Sequence, residues 1–412
     1  MTYAQAERHL LALERFGMRF ELDRMRRLLT ALGSPQERFA SIHVVGTNGK
    51  SSTVRMIAAI LARHGRHVGA YLSPHLVSFV ERVRIADADL DRQRFAAAVE
   101  RVARAATKVQ RTLAEGDHVT QFEALTAVAF DEMARDGVDV AVIEAGLGGR
   151  YDATNVLSSG VQVLTSVGLE HTRWLGSTIA DIAAEKLDVV RPGATLVVGE
   201  DLHPDALALA RTTCDERGAS LVVVGAGDAT RAPGLAPYQQ RNFALARAAA
   251  AAHLGELDEE AVSAAAIGTI VPGRFEVVDH EPVTIVDAAH NPDGIAALAE
   301  ALRHFLHGRR LVACVSILDD KDAAEMLREL VGLCSAVVCT ASANPRVLPA
   351  ATLASIMRQI GGPPTQVVAE PREALAAARK AAGPGGVALA TGSIYLLADL
   401  LATDDAHARS TR

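Results

Sequence analysis

Short apolar runs alternate along the chain with longer stretches in which apolar residues return every three or four positions. The runs read as strands buried on both faces, and the stretches as amphipathic helices. Strands are predicted at 42–45, 67–71, 138–144, 161–166, 195–198 and 221–224. Helices are predicted at 53–63, 90–114, 123–136, 179–190 and 204–217, with two more at 241–254 and 259–267. This alternation predicts an α/β fold, a doubly wound, mostly parallel sheet covered on both faces. The pattern pauses at the Gly/Pro-marked stretch 269–276 and then begins afresh. Strands at 283–286, 310–315, 336–340, 366–368 and 387–390 now alternate with helices at 292–305, 323–331, 350–359, 372–381 and 393–401. They predict a second, smaller, Rossmann-like α/β domain of about 130 residues. The expected organisation is a domain over 1–271, a hinge over 272–282 and a C-terminal domain over 283–412. The last ten residues are polar and expected to fray.

Bulk properties narrow the class of partner. A chain of 412 residues, 49% hydrophobic, has room for two or three domains with sizeable cores. A net charge of −7 argues against nucleic acid as the main partner. No stretch approaches the length of a membrane-spanning helix, and the first twenty residues lack a signal-peptide core, so a cytoplasmic protein, probed first as a monomer, is expected. The four cysteines (Cys214, Cys314, Cys334 and Cys339) have no metal or redox spacing and read as reduced thiols.

The richest segment is Ser41-Ile-His-Val-Val-Gly-Thr-Asn-Gly-Lys-Ser-Ser-Thr53. It reads as strand, Gly-rich loop and helix, which aims backbone N–H groups and a helix N-terminus at an anion. Lys50 would reach the outer phosphates of a nucleotide such as ATP, and Ser51 or Ser52 would offer a hydroxyl to Mg²⁺. The loop departs from the full Walker A spacing, because Val44 stands where its first glycine belongs. A ligand-free Gly-rich turn would explain the glycines, but not Lys50 and two hydroxyls at the mouth of a helix.

Further candidates sit at strand ends, where open α/β sheets collect their ligands. Glu144-Ala-Gly-Leu-Gly-Gly-Arg-Tyr-Asp-Ala-Thr-Asn155 closes an apolar strand, which makes Glu144 a candidate Mg²⁺ ligand. The plainer reading is a carboxylate capping a Gly-rich turn. In Leu169-Glu-His171, His171 is a candidate ligand for a second cation or a donor to phosphate, or else an ordinary surface histidine. Lys186 follows Glu185 on a helix and reads by itself as a salt-bridging residue. In Asp287-Ala-Ala-His-Asn-Pro292, Asp287 fits a ribose hydroxyl, while His290 and Asn291 either bind ligand or cap the helix that Pro292 begins. Arg274, in the hinge, would clamp phosphates as two domains close.

Together these blocks resemble the dihydrofolate synthase/folylpolyglutamate synthase family, a branch of the Mur ligase superfamily, over nearly the whole chain. The resemblance rests on Gly46-Thr-Asn-Gly-Lys50, Leu72-Ser-Pro-His-Leu76 with Glu81-Arg-Val-Arg84, Phe122-Glu123, and Glu144 through Asn155. It continues through Leu169-Glu-His-Thr172 with Trp174-Leu-Gly176, Glu185-Lys186, Pro272-Gly-Arg-Phe275, Asp287 through Pro292, Asp320-Lys-Asp322 and Thr391-Gly-Ser393. It implies a Mur-ligase-like central domain and an ATP-driven ligase. Such an enzyme phosphorylates a carboxylate of pteroate or folate and lets the amine of L-glutamate displace the phosphate. It also implies Ser52, Ser73, Glu144 and His171 as ligands of two Mg²⁺ ions, and Lys186 as a carbamylated lysine that is itself a carboxylate-like Mg²⁺ ligand. Gly49, Lys50, Ser51, Ser52, Asn242, Arg274 and Asp287 match the family's ATP contacts, with His290 near nucleotide and glutamate. Met18, Arg19, Phe20, Thr120, Gln121, Phe122, Glu123, Tyr151, Asp152 and Ala153 match its pterin-side contacts.

Three departures stand out. Ser51 replaces the second glycine of the family's Gly-Lys-Gly-Ser loop, the usual Leu-Gly-Leu-Glu-Arg block is Phe20-Glu-Leu-Asp-Arg24, and Lys186 precedes Leu-Asp-Val. A Mur-type amide ligase with another carboxylate acceptor, or a non-catalytic nucleotide-binding protein, are the alternatives.

Overall fold

The computed structural model describes residues 1–17, 20–225, 227 and 234–402, apart from the side chain of Arg15. Met18, Arg19 and the last ten residues, all named above, lie outside the described residues. The first sheet contains β1 (Ala40–Val45), β2 (Val68–Tyr71), β3 (Val83–Ile85), β4 (Ala88–Asp89), β5 (Val140–Glu144), β6 (Val161–Leu164), β7 (Thr195–Gly199) and β8 (Ser220–Val224). Their spatial order is β4-β3-β2-β5-β1-β6-β7-β8. From β2 to β8 every pairing is parallel, as the apolar runs predict, while β3 and β4 add an antiparallel hairpin at one edge.

The second sheet contains β9 (Glu276–His280), β10 (Val283–Val286), β11 (Leu311–Val315), β12 (Cys334–Cys339), β13 (Thr365–Val367) and β14 (Val387–Thr391), ordered β13-β12-β11-β14-β10-β9. The fold class is as expected, but residues assigned to the hinge form a strand. Glu276–His280 pairs antiparallel with β10, so this part of 272–282 belongs to the second sheet.

Helices cover both faces of the first sheet and divide its core. On one face, Lys50–Arg63 and Pro237–Leu254 pack Val54, Ile57, Ile60, Phe243 and Leu245 over Ile42, Val44, Val140 and Val142. On the other, Arg92–Gln110 and Gln121–Asp136 bury Phe95, Val99, Leu125 and Phe130 with Tyr71 and Ile143. Alternate residues of β1 and β5 thus feed opposite cores, and burying each large aliphatic side chain stabilises by about 1.5–3 kcal/mol. A separate cluster built on Ile285, Leu298, Leu311, Val315, Leu327 and Leu389 gives the second sheet its own core.

Two helix boundaries move for physical reasons that bear on function. The phosphate-loop helix begins at Lys50, not at residue 53, because Gly49 takes φ 85° and releases Lys50, Ser51 and Ser52 into helical conformation. The helix expected over 90–114 is shorter, spanning Arg92–Gln110. Asp91 caps its start by accepting from Gln93 and Arg94 N–H, and the chain turns at Thr112.

Candidate active site

The carboxyl ends of β1, β5 and β6 bring the loop 46–49, Glu144 and the segment 165–171 together beside the second domain. The loop is braced from the β6 side. Thr47 N–H donates to Ser166 O, Asn48 N–H to Ser166 Oγ at 2.8 Å, and Thr165 Oγ1 to Asn48 O at 2.6 Å. Asn242 closes the other side, with its Oδ1 only 2.5 Å from where a Cβ on Gly49 would stand. A side chain at residue 49 is therefore barred both by its φ and by Asn242, which fixes the path of the loop beneath any ligand.

Two amines converge on one carbonyl. Lys50 Nζ donates to Gly46 O at 3.1 Å and Thr47 O at 3.0 Å, and Lys186 Nζ donates to Gly46 O at 2.8 Å. Lys186 is 3% exposed. Burial first, and the charge of Lys50 second, push its ammonium down from 10.5 to about 7.

Glu144 is buried, and both of its carboxylate oxygens are held. Oε1 accepts from Ser51 Oγ at 3.0 Å and Oε2 from Ser73 N–H at 3.1 Å. Burial pushes its pKa up, while Lys50, the two hydrogen bonds and Arg274 pull it down. Arg82, also buried, acts on the same carboxylate and donates from Nε to His75 Nδ1 at 2.9 Å. Lys50, Arg82 and Arg274 thus all bear on this buried carboxylate.

His171 adopts φ 54° at the start of the short helix Thr172–Leu175. Much of its surface faces solvent, yet crowding, with Lys321, Lys50 and Lys186 nearby, lowers its imidazole to about 4. It is neutral at pH 7, with a ring nitrogen free to accept. Ser52 lies buried in the first helical turn, but the hydroxyl on Glu144 is that of Ser51. Among the described residues no three His, Cys, Asp or Glu side chains gather as a metal cluster. The donors near Glu144 are hard hydroxyl and carboxylate oxygens, a set that suits Mg²⁺ when phosphates and water complete its shell.

The second domain meets this site through specific contacts. Asn48 and Asn291 exchange amide hydrogen bonds, each 3.1 Å. Glu170 accepts from Lys321 Nζ at 2.8 Å and Asn291 Nδ2 at 3.1 Å, and pairs with His290 Nε2 at 3.3 Å. Asn291 also caps its helix by accepting from Gly294 N–H at 2.8 Å, so the cap and the cleft share one side chain. Asp287 is buried and fully engaged. It accepts from Tyr238 Oη at 2.7 Å, Phe275 N–H at 2.8 Å and Ala289 N–H at 2.8 Å, while Arg274 Nη1 donates to Gly273 O at 3.0 Å.

Residues 273–394 match the family described as Mur ligase, glutamate ligase domain. The dihydrofolate synthase/folylpolyglutamate synthase of Mycobacterium tuberculosis is 35% identical over 83% of this chain and 78% of its own length. The chain belongs to the dihydrofolate synthase/folylpolyglutamate synthase family. A probable bifunctional folylpolyglutamate synthase/dihydropteroate synthase of Haloferax volcanii is 34% identical over 98% of this chain, which spans 50% of that relative's length. Among solved structures, M. tuberculosis folylpolyglutamate synthase complexed with ADP and AMPPCP superposes with a TM-score of 0.88, at 30% identity and with 96% of this chain and 97% of that one covered. E. coli FolC in complex with DHPP and ADP gives 0.85 at 29% identity over 97% and 98% of the two chains. The bifunctional Yersinia pestis enzyme complexed with AMPPNP and Mn ion gives 0.85 at 28% identity over 97% of each.

The pterin-side candidates of this family member fall into two groups. Phe20 and Tyr151 are exposed, their ring centroids 6.4 Å apart, and Trp174 stands 5.4 Å from Phe20 with the Arg173 guanidinium over its ring. The others are occupied within the fold. Thr120 and Glu123 form the capping box of Gln121–Asp136, and Glu123 also binds Arg24 at 3.2 Å. Gln121 donates to Leu10 O, and Phe122 lies against Gly146. Ala153 is buried, and Asp152 accepts from Leu147 and Thr154 N–H.

The Thr154 hydroxyl also donates to Asp152, so His43 Nε2, 2.7 Å away, must carry the hydrogen toward Thr154. Burial holds His43 down at about 3, which keeps it neutral. The Gly-rich loop after β5 is thereby tied to the strand that precedes the phosphate loop. Glu170, Lys321, Asn48, Tyr238, Arg82 and Trp174 had no individual role in the sequence reading. Residue type alone does not show that a side chain spans two domains.

Proposed function

We propose that this chain joins L-glutamate to a pteroate- or folate-type carboxylate at the expense of ATP. The acceptor is dihydropteroate, the γ-carboxylate of a reduced-folate glutamate tail, or both. The observation that carries this reading is the gathering of three cations, Lys50, Arg82 and Arg274, on the buried Glu144 carboxylate at the strand end beside the phosphate loop. A site so charged suits a polyanion brought beside a second carboxylate, two groups that repel each other in water. The ADP, AMPPNP, Mn and DHPP complexes of the relatives support the same reading.

The γ-phosphoryl group passes from ATP to an acceptor carboxylate oxygen, giving an acyl phosphate and ADP. The glutamate nitrogen then attacks the acyl carbon, the C–O bond to phosphate breaks, and a proton leaves the nitrogen as the amide forms. N–H groups of the first helical turn and Lys50 hold the phosphates, and Lys50 neutralises charge on the migrating group. Arg274 sits on the segment between the sheets and bears on both Glu144 and Asp287, which suits a phosphate clamp. Ser52, Ser73, Glu144 and neutral His171 would hold Mg²⁺, two ions in our reading, which when bound screens phosphate from carboxylate. Closure of the second domain would exclude water that could otherwise hydrolyse the acyl phosphate.

Lys186 is, in this proposal, carbamylated. Its buried amine is largely uncharged near neutral pH and so able to react with CO₂, and a carbamate would offset the charge of Lys50 beside it. We further propose a cytoplasmic monomer that acts on small molecules and binds neither nucleic acid nor membrane. Among the described residues no helix is long and apolar enough to cross a membrane.

The test is ADP release with Mg²⁺ and L-glutamate, using 7,8-dihydropteroate or tetrahydrofolate as acceptor and checking product mass. We expect amide product with at least one of the two. ATP binding without product from either would overturn the folate acceptor and point to another carboxylate.

A further inference from the structure

Ser51 departs from the glycine that the family loop carries, and its hydroxyl is not idle. It sits in the first turn of Lys50–Arg63 and donates to Glu144 Oε1 at 3.0 Å. Ser73 N–H fixes the other oxygen at 3.1 Å. Among the described residues no other donor reaches Oε1. We propose that Ser51 is a positioning residue of this chain for the divalent cation, one that a glycine loop lacks. It fixes the rotation of the Glu144 carboxylate so that the remaining lone pairs face the mouth of the phosphate loop. The inference rests on the ATP-and-metal reading above and deepens it.

A carboxylate oxygen has two lone pairs, so Oε1 can accept from Ser51 and still ligate a cation. A ligating carboxylate that is itself hydrogen-bonded is held in one orientation, and loss of such a partner typically weakens metal affinity about 10–100-fold. The donor must itself be rigid, and Ser51 lies on a helix whose start is set by Gly49 and whose next residues are buried. With glycine at 51, the carboxylate would be anchored through Ser73 alone and free to turn about that one bond.

The experiment measures Mn²⁺ binding to the full chain in the presence of ADP, by electron paramagnetic resonance. It compares wild type with Ser51→Ala, Ser51→Gly and Ser51→Thr. ADP affinity in EDTA and far-UV circular dichroism are recorded for each. We expect the Mn²⁺ Kd to rise about tenfold or more in the alanine and glycine variants and to return to within about threefold of wild type with threonine. Metal-free ADP affinity is the control that separates a contact of Ser51 with the nucleotide from its hold on Glu144. Equal Mn²⁺ affinity in wild type and Ser51→Ala, or tighter binding in Ser51→Gly, overturns the proposal. So does a loss of metal-free ADP binding, which would place the hydroxyl on the nucleotide instead. No turnover is needed for this readout. A chain that binds Mn²⁺ through Ser51 yet makes no amide refutes the ligase reading alone, and a ligase indifferent to Ser51 refutes this inference alone.

Discussion

Lys186 shares the carbonyl of Gly46 with Lys50, an arrangement that two ammonium ions resist. The conflict is relieved if Lys186 gives up its proton, and burial first, with the charge of Lys50 second, lowers it to about 7. The sign follows from the lowered value. A free lysine stays protonated to about pH 10.4, whereas this amine is mostly neutral above about pH 7. Carbamate formation needs the neutral amine, so the carbamate ¹³C signal from ¹³CO₂-equilibrated protein should grow between about pH 6 and 8 and vanish in Lys186→Ala. A lysine signal that appears only near pH 10, or one that survives in Lys186→Ala, would remove Lys186 as the modified residue. At this scale positions were easier to read than partners. The strand–loop–helix pattern already placed Lys50 and Glu144 at neighbouring strand ends. The partners of Asp152, Glu123 and Asp287 were not legible, because a carboxylate facing a cleft and one held by N–H groups of its own fold have the same sequence appearance.

Among elements, a close joint lies between the loop after β5 and the helix Ile179–Leu187. A Cβ on Gly149 would stand 2.6 Å from Glu185 O and 2.8 Å from Lys186 O, and backbone atoms cannot swing aside. Gly149→Ala should therefore push this loop off the helix that carries Lys186. We expect a loss of about 1–3 kcal/mol in urea unfolding together with a fall in ligase activity. Full stability and activity would mean that the loop has slack the packing does not reveal. The buried strands and amphipathic helices were easy to read, and Ala323–Val331 and Ala350–Gln359 begin and end where the periodicity places them. The hairpin β3–β4 was not, since strands of three and two residues are too short to show a period. Strand β9 escaped for a related reason. It is an edge strand whose valines, Val277 and Val278, remain exposed, so it lacks the apolar run that marks its neighbours.

Over the whole molecule, Glu170 does most to join the two sheets across the site. Burial alone would raise its pKa, yet His290 and then Lys321 hold the carboxyl well below the usual range. Removing one partner from a buried, hydrogen-bonded charge pair costs about 2–5 kcal/mol. Glu170→Ala should accordingly loosen the two domains, seen as a larger radius of gyration by small-angle X-ray scattering, with a raised KM for ATP. An unchanged scattering curve and KM would show that the Asn48–Asn291 pair suffices without it. None of this was legible in the sequence, because the residues that meet lie far apart along the chain.

Trp174 offers a last consequence. It is the only tryptophan in the chain, and it stands by the Phe20 ring and the Arg173 guanidinium. An indole so placed is a built-in optical probe. A flat aromatic ligand entering beside Phe20 would quench or shift the emission of this one fluorophore, with no second tryptophan to dilute the signal. Under the proposed function, acceptor binding would then be titrated in unlabelled protein, separately from nucleotide and before any chemistry occurs.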